Sequence, residues 1–345
     1  MIAQAKRVVM LAFVAVMMIA VLAPVPARAQ TTVQDRINNA LSNWMLANGV
    51  SNAGLAVMRD NHLVGSFGHN QMSAETPAPI ASLSKAITAV CVMSLIDDGR
   101  LRFNTRLYSM PPSFWRAIGP QSRRGAVGNI TIEQLLRHRS RITFDPSQDG
   151  LVGIPNADSS DVILIRRALA RPLSTMPMSE VYNNINYAIL GLVIKTITRE
   201  PYESYCQRVA LAPRGANGKI GAGTRAMGAF GGWELSAVDY AMFARAYDPR
   251  SRLLSPAGHA FINARANPNS PTASLGMFVV RTASGRNLFH RGSWHSSATT
   301  PQQFSSFFAM WDNGISVVVT HDRDLTDAAR LSLDNTLRQA AYSRD

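Results

Sequence analysis

The sequence predicts an α+β fold: an α/β sandwich whose antiparallel sheet is built from both chain ends, flanked by N- and C-terminal helices, with an all-helical lobe inserted between its second and third strands. Three observations point there. Short segments of strand character stand at both ends, a long middle has helical periodicity, and an amphipathic helix lies outside each set of strands. At 345 residues, 46% hydrophobic and 17% charged, the chain can bury one large core or two coupled ones, which excludes disordered and fibrous classes.

In chain order, residues 1–29 read as a signal peptide. Lys6 and Arg7 precede an uninterrupted apolar run over 8–23, and Ala27-Arg28-Ala29 has the small-x-small form of a cleavage site before Gln30. The alternative is an uncleaved anchor, since the run over 8–25 approaches bilayer-spanning length. Pro24, Pro26 and the Ala-x-Ala site favour cleavage, so the body is expected to be periplasmic or secreted. Ile37, Ala40, Leu41, Trp44 and Met45 then recur at helical spacing. Two strands are expected over 53–58 and 62–67, turned by Asp60-Asn61. Helices follow over 82–98, ended by Gly99, and over 131–138, 160–170, 184–199, 202–211, 234–247 and 256–264. The Pro-, Gly- and Ser-rich stretches 110–128 and 213–232 read as loops. Strands resume over 273–282, 287–290, 304–311 and 315–320, and a helix over 325–341 closes the chain. This gives a discontinuous sheet domain, 30–70 with 270–345, and a helical domain, 71–269, with the active site at their interface.

The formal charge is +13, and of 35 basic residues only Lys6, Lys85, Lys195 and Lys219 are lysine. The arginines are dispersed and no basic aromatic stripe accompanies them, so no nucleic-acid partner is expected. A positive field would favour anionic substrates, such as carboxylates near a cell wall. Cys91 and Cys206 lie 115 residues apart in apolar helical stretches. They are expected as buried free thiols, with a disulfide as the alternative. No C-x-x-C, H-E-x-x-H or zinc-like spacing occurs, so no metal or cofactor is predicted. Gly221 to Ala226 fits G-x-G-x-x-A but follows no apolar strand, which argues against a dinucleotide site. There is no G-x-S-x-G elbow.

Ala81-Ser82-Leu83-Ser84-Lys85 stands where a Pro77-Ala78-Pro79 loop meets a helix with few polar positions over 86–96, hence one buried nearly all round. A serine there serves ordinarily as an N-cap. Its hydroxyl also sits at the positive end of the helix dipole, with Lys85 one turn along on the same face. Ser82 is a candidate nucleophile and Lys85 its candidate base, since a buried helix offers no free face to a surface ammonium. As a base at neutral pH, Lys85 must fall by about 3 from a reference pKa near 10.4, roughly 4 kcal/mol. The helix dipole supplies only about 0.3–1 kcal/mol, so desolvation and further polar partners must provide the rest. Tyr182-Asn183-Asn184 presents a phenol and a carboxamide at another helix mouth. His290-Arg291-Gly292-Ser293 ends a strand, where a glycine would let substrate approach the backbone. S-x-x-K, Y-x-N and H-x-G together are expected by chance roughly 0.1 times.

At these residues the chain resembles the penicillin-recognising serine hydrolases, in particular the class C beta-lactamase-like branch with its D,D-peptidases and esterases. The resemblance covers most of the mature chain and implies a beta-lactamase/transpeptidase-like fold. It includes Ser82 through Leu101, the Ile130-Thr131-Ile132 to His138 segment, Tyr182-Asn183-Asn184, and Gly231-Gly232 to Phe243. It implies acyl transfer in two steps. Ser82 attacks a carbonyl, Lys85 and Tyr182 manage its proton, Asn184 holds the substrate, and backbone N–H groups of Ser82 and Ser293 form an oxyanion hole. His138 reads as a structural hydrogen-bonder.

Two departures matter. Where beta-lactamases carry K-T-G this chain has His290-Arg291-Gly292, so an ammonium gives way to an imidazole and a small hydroxyl to a guanidinium. Arg291 either binds a substrate carboxylate or points into solvent. Arg139-Ser140-Arg141 replaces the family's T-S-G. Trp294 and His295 either line the pocket or sit on an exposed loop. The expected function is an exported serine hydrolase acting on an amide, peptide or ester, with a small-molecule or peptide as its partner. The alternatives are a true class C-like beta-lactamase, or an inactive relative that binds cell-wall peptide or a protein.

Overall fold

The computed structural model describes residues 31–119, 125–176, 178–295 and 303–343, so the expected signal peptide and its cleavage site lie outside it. Helix α1 (Val33–Asn48) is capped by Thr32, whose hydroxyl accepts from the Asp35 N–H, and ends at Gly49. Strands β1 (Ala53–Arg59) and β2 (His62–His69) form a hairpin in which Asp60 and Asn61 both take positive φ, 50° and 68°, as a two-residue turn requires.

The chain then enters the helical region through β3 (Ala78–Pro79) and α2 (Ser84–Asp97). It continues as α3 (Pro112–Ile118), α4 (Ile132–Leu136), α5 (Ser160–Leu169), α6 (Ile185–Thr198), α7 (Tyr202–Cys206), β4 (Lys219–Ile220), α8 (Gly228–Gly231), β5 (Trp233–Leu235), α9 (Ala237–Ala244) and α10 (Pro256–Asn263). It returns through β6 (Thr272–Ser274), β7 (Met277–Arg281), β8 (Arg286–His295), β9 (Gln303–Met310) and β10 (Ile315–His321), and closes with α11 (Asp327–Tyr342).

The large sheet has the order β2-β1-β10-β9-β8-β7-β6, antiparallel throughout, so both chain ends meet where β1 pairs with β10. One face packs against α1 and α11 through Ile37, Leu41, Trp44, Leu333 and Leu337. The other supports the helical lobe around α2 and α6. With both faces covered, β10 is buried along its whole length, and its centre, Val317-Val318-Val319, is apolar without alternation.

Several expectations need correction. The inserted lobe is not all-helical, because β3, β5 and β4 form a second, three-stranded sheet. The 110–128 stretch contains α3, started by Pro112 at a position where its missing N–H costs nothing. The strand expected over 273–282 breaks at Leu275 and Gly276, both at positive φ. A Cβ at Gly276 would lie 2.4 Å from the Ala86 nitrogen, so α2 packs directly on this corner. Finally, Cys91 and Cys206 are not free thiols: a disulfide joins α2 to α7 with its Cα atoms 5.6 Å apart, and both residues are fully buried.

Candidate active site

Ser82 occupies a 3₁₀ turn (Ala81–Leu83) that leads into α2. It is not the helix cap expected of it: the cap position falls on Leu83, with no side-chain bond. The turn is held from three sides. The Ile80 N–H donates to the Trp233 carbonyl at 3.0 Å, and the Ser306 hydroxyl donates to the Ile80 carbonyl at 2.6 Å. On the third side is Gly292, where a Cβ would meet the Ile80 oxygen and Ser306 Oγ, both at 2.5 Å. What approaches this glycine is the turn that carries Ser82. Ala81 takes φ 45°, a strained conformation for a residue with a Cβ, immediately before the serine.

With the turn fixed, Ser82 Oγ accepts hydrogen bonds from Lys85 Nζ and from the Tyr182 hydroxyl, each at 2.9 Å. Lys85 is 0% exposed. Its second partner is the Phe230 carbonyl at 2.8 Å, and the Tyr182 ring lies 5.0 Å from Nζ. Burial pushes its pKa down from 10.5 to about 7, with the Asp145 carboxylate pulling the other way. Desolvation therefore supplies what the helix dipole could not.

Tyr182 is 40% exposed along the cleft, yet its phenol turns inward to Ser82. Desolvation there pushes it above its ordinary value, with the Ser82 bond opposing. His138 stacks on its ring at 4.5 Å, and His138 Nδ1 accepts the Asn183 N–H at 3.1 Å. An accepting Nδ1 carries no proton, and burial pushes His138 well below its usual range. It holds Tyr182 in place as a neutral ring.

Asn184 donates from Nδ2 to Ser147 Oγ at 2.9 Å and from its backbone to Asp145 at 2.8 Å. Its Oδ1 is buried and has no partner among the described residues, so an acceptor is left for a substrate N–H. Asp145, Ser147 and the Phe230 carbonyl were missed from the sequence. The Asp145-Pro146-Ser147 turn signature marks a loop without saying which helix mouth it will cover.

The His290-Arg291-Gly292 segment splits by strand alternation. His290 faces the helical lobe and lines the cleft, and its Nδ1–H donates to the Arg291 carbonyl at 2.8 Å. Burial, then repulsion from Lys85, lowers His290 to about 3, so it is a neutral ring whose Nε2 is left as an acceptor. Arg291 does neither thing expected of it. It reaches the cleft margin but ion-pairs through Nη2 with Asp334 of α11 at 3.1 Å. Strand β7 pairs with β8 only over 286–289, so among the described residues no strand pairs with the β8 edge beyond on that side, and Ser293 lies at the cleft. Trp294 and His295 line the cleft as well, with His295 held by Asp324 at 2.8 Å.

Together these residues bound a cleft of about 490 Å³. A serine hydroxyl, a desolvated amine, a phenol and strand backbone at one opening are the kinds of group that can attack a carbonyl and stabilise the resulting oxyanion. Among the described residues no cluster of metal-ligating side chains occurs.

The Beta-lactamase family model matches residues 33–341. "Protein flp" of Staphylococcus aureus (strain COL) is 32% identical over 142 residues, a match covering 41% of this chain and 27% of that protein, so the chain corresponds to about a quarter of that relative's length. The fold is similar to that of a D-stereospecific amidohydrolase from Streptomyces sp., with TM-score 0.71, 19% identity, and 90% of this chain and 98% of that one covered. It is also similar to a beta-lactamase/D-alanine carboxypeptidase from Pseudomonas syringae, with TM-score 0.69, 15% identity, and coverage of 90% and 99%.

Proposed function

This chain belongs to the beta-lactamase family, and from that premise we propose that it is an exported serine hydrolase that passes the acyl group of an ester, amide or peptide through Ser82 to water. The observation that carries the reading is Ser82 Oγ lying 2.9 Å from both a fully buried Lys85 and the Tyr182 hydroxyl.

Neutral Lys85 takes the Ser82 proton as Oγ bonds to the substrate carbonyl carbon, and the negative charge gathers on the carbonyl oxygen. Backbone N–H groups of Ser82 and Ser293 receive that oxygen. As the bond to the leaving group breaks, the proton passes from Lys85 through Tyr182 to the departing atom. In the second half a water gives its proton to the same pair and bonds to the acyl carbon; the acid leaves and Ser82 Oγ is reprotonated. Asn184 Oδ1, buried and unpartnered, supports the reading as an acceptor for a substrate amide. Export is supported by the leader-like first 29 residues and by the Cys91–Cys206 disulfide, a bond that persists in oxidising compartments.

Intact-protein mass spectrometry after exposure to a panel of esters, D-amino-acid peptides and beta-lactams tests this. The expected result is a mass gain of one acyl group on the folded protein and none on Ser82→Ala. Equal labelling of the two, or no labelling by any member of the panel, would overturn the proposal.

A further inference from the structure

The electrostatics of the cleft do not match those of the chain. The formal charge is +13, yet among the described residues each arginine that lines the cleft is already matched by a carboxylate, and Lys85 is spent on Ser82 Oγ and the Phe230 carbonyl. Arg291 pairs with Asp334 at 3.1 Å. Arg330 is held by Asp324 and by Asp327, at 2.5 and 2.9 Å, so two guanidiniums face three carboxylates. His295 shares Asp324. His290, standing where an ammonium would in the resembling enzymes, is kept neutral by burial, and with its Nδ1–H on the Arg291 carbonyl it turns Nε2 out as an acceptor. Asp145, beneath Asn184, takes its hydrogen bonds from the Asn184 and Ser147 N–H groups, the Ser147 hydroxyl and Gln148, and has no salt bridge among the described residues. Uncharged polar groups of Ser147, Gln148, Asn184 and Ser293 share the rest of the lining with an apolar wall of Met227, Phe230, Phe278, Phe289 and Trp294, in which Phe278 is stacked between Tyr182 and Phe289.

A substrate carboxylate seated there would lose water and find no unmatched guanidinium among the described residues, with Asp145 and Asp324 nearby. We propose that the substrate is an ester or amide with no carboxylate on either side of the scissile carbonyl, and with an aromatic or aliphatic group against the Phe230, Phe278 and Trp294 wall. The inference rests on Ser82 acylation as proposed above. It makes penicillins and peptides ending in a free carboxylate poor substrates, and it reverses the expectation that the basic charge of the chain draws carboxylates into the site.

Two matched pairs test it: p-nitrophenyl butyrate against mono-p-nitrophenyl succinate for the acyl side, and phenyl phenylacetate against 3-carboxyphenyl phenylacetate for the leaving side. The neutral member of each pair should show kcat/KM at least about tenfold higher, the equivalent of about 1.4 kcal/mol. Asp334→Asn, which releases Arg291, should narrow at least one ratio severalfold and leave the neutral ester within about twofold of the parent. Equal or faster turnover of the carboxylate-bearing members overturns the inference. So does a ratio unmoved in both pairs by Asp334→Asn, because the ion pair would then not set the preference. Loss of all ester turnover in Ser82→Ala shows that the acylation reading stands in either case; turnover surviving that change would bring down that reading first.

Discussion

Lys85 as the proton acceptor makes acylation depend on pH in a way that can be calculated. With its pKa at about 7, the amine is half neutral at pH 7, about nine-tenths neutral at pH 8, about a tenth at pH 6 and about a hundredth at pH 5. Acylation should therefore be flat above pH 8 and fall about tenfold per unit below pH 6. An ordinary lysine at 10.5 would be neutral in only about three molecules in ten thousand at pH 7, and its rate would still climb at pH 9. The two profiles differ by about a thousandfold in amplitude at neutral pH. The buried histidines cannot produce the inflection, since His290 is held at about 3 and His138 well below 6.5. Because the Asp145 carboxylate raises Lys85, Asp145→Asn should move the inflection below 7. Burst-phase release of p-nitrophenol from a neutral ester, with Ser82→Ala subtracted as the blank, measures the acylation rate. A rate unchanged between pH 5 and 8, still rising past pH 9, or shifted upward in Asp145→Asn would refute the assignment.

Lys85→Arg keeps the charge but cannot give up its proton, so acylation should fall by at least about a thousandfold, whereas Lys195→Arg and Lys219→Arg should remain near parental rates; Lys195 serves a distant ion pair with Asp161. Survival of acylation in Lys85→Arg, read by labelling with a serine-directed fluorophosphonate, would rule out the base. Gly292→Ala places a methyl within 2.5 Å of the Ile80 oxygen and Ser306 Oγ, and should cost about 1–3 kcal/mol in urea unfolding together with most of the acylation rate. Wild-type values for both would mean that the turn does not need this close approach. The disulfide closes a loop of 115 residues, so Cys91→Ala with Cys206→Ala should lower stability by about 2–5 kcal/mol. An unfolding midpoint that neither this double change nor reductant moves would show that the cross-link carries no stability.

What could be read from the sequence was what is local. Asp60-Asn61 specifies a hairpin turn through its own backbone preferences, and Ser82 with Lys85 is a one-turn spacing on a helix. Parts that depend on distant packing could not be read the same way. Nothing around Cys91 or Cys206 identifies the other as its partner. Strands of two residues, such as β3 and β4, are too short for any period to register. Asp145 reaches the site because a loop folds over α6, and the Phe230 carbonyl because α8 lies against α2. Arg291 was within reach of the argument. Strand side chains alternate between faces, so placing His290 toward the helical lobe obliges Arg291 to point toward the terminal helix, where Asp334 waits.

The scarcity of lysine and the neutrality of the cleft have one physical origin. An amine or an imidazole can lose charge through burial, as Lys85 does in about half of the molecules at pH 7 and His290 does fully; a guanidinium holds its proton, so each one near the site must instead be matched by a carboxylate. In a chain that carries nearly all its positive charge as arginine, a cleft with no unmatched guanidinium therefore demands acidic partners in fixed places. Here they come from one stretch, with Asp324 just before α11 and Asp327 and Asp334 within it. The terminal helix thus does more than cover the sheet. By holding Arg291 and Arg330 against their carboxylates, it would set, under the proposed acylation, which charges a substrate meets beside Ser82.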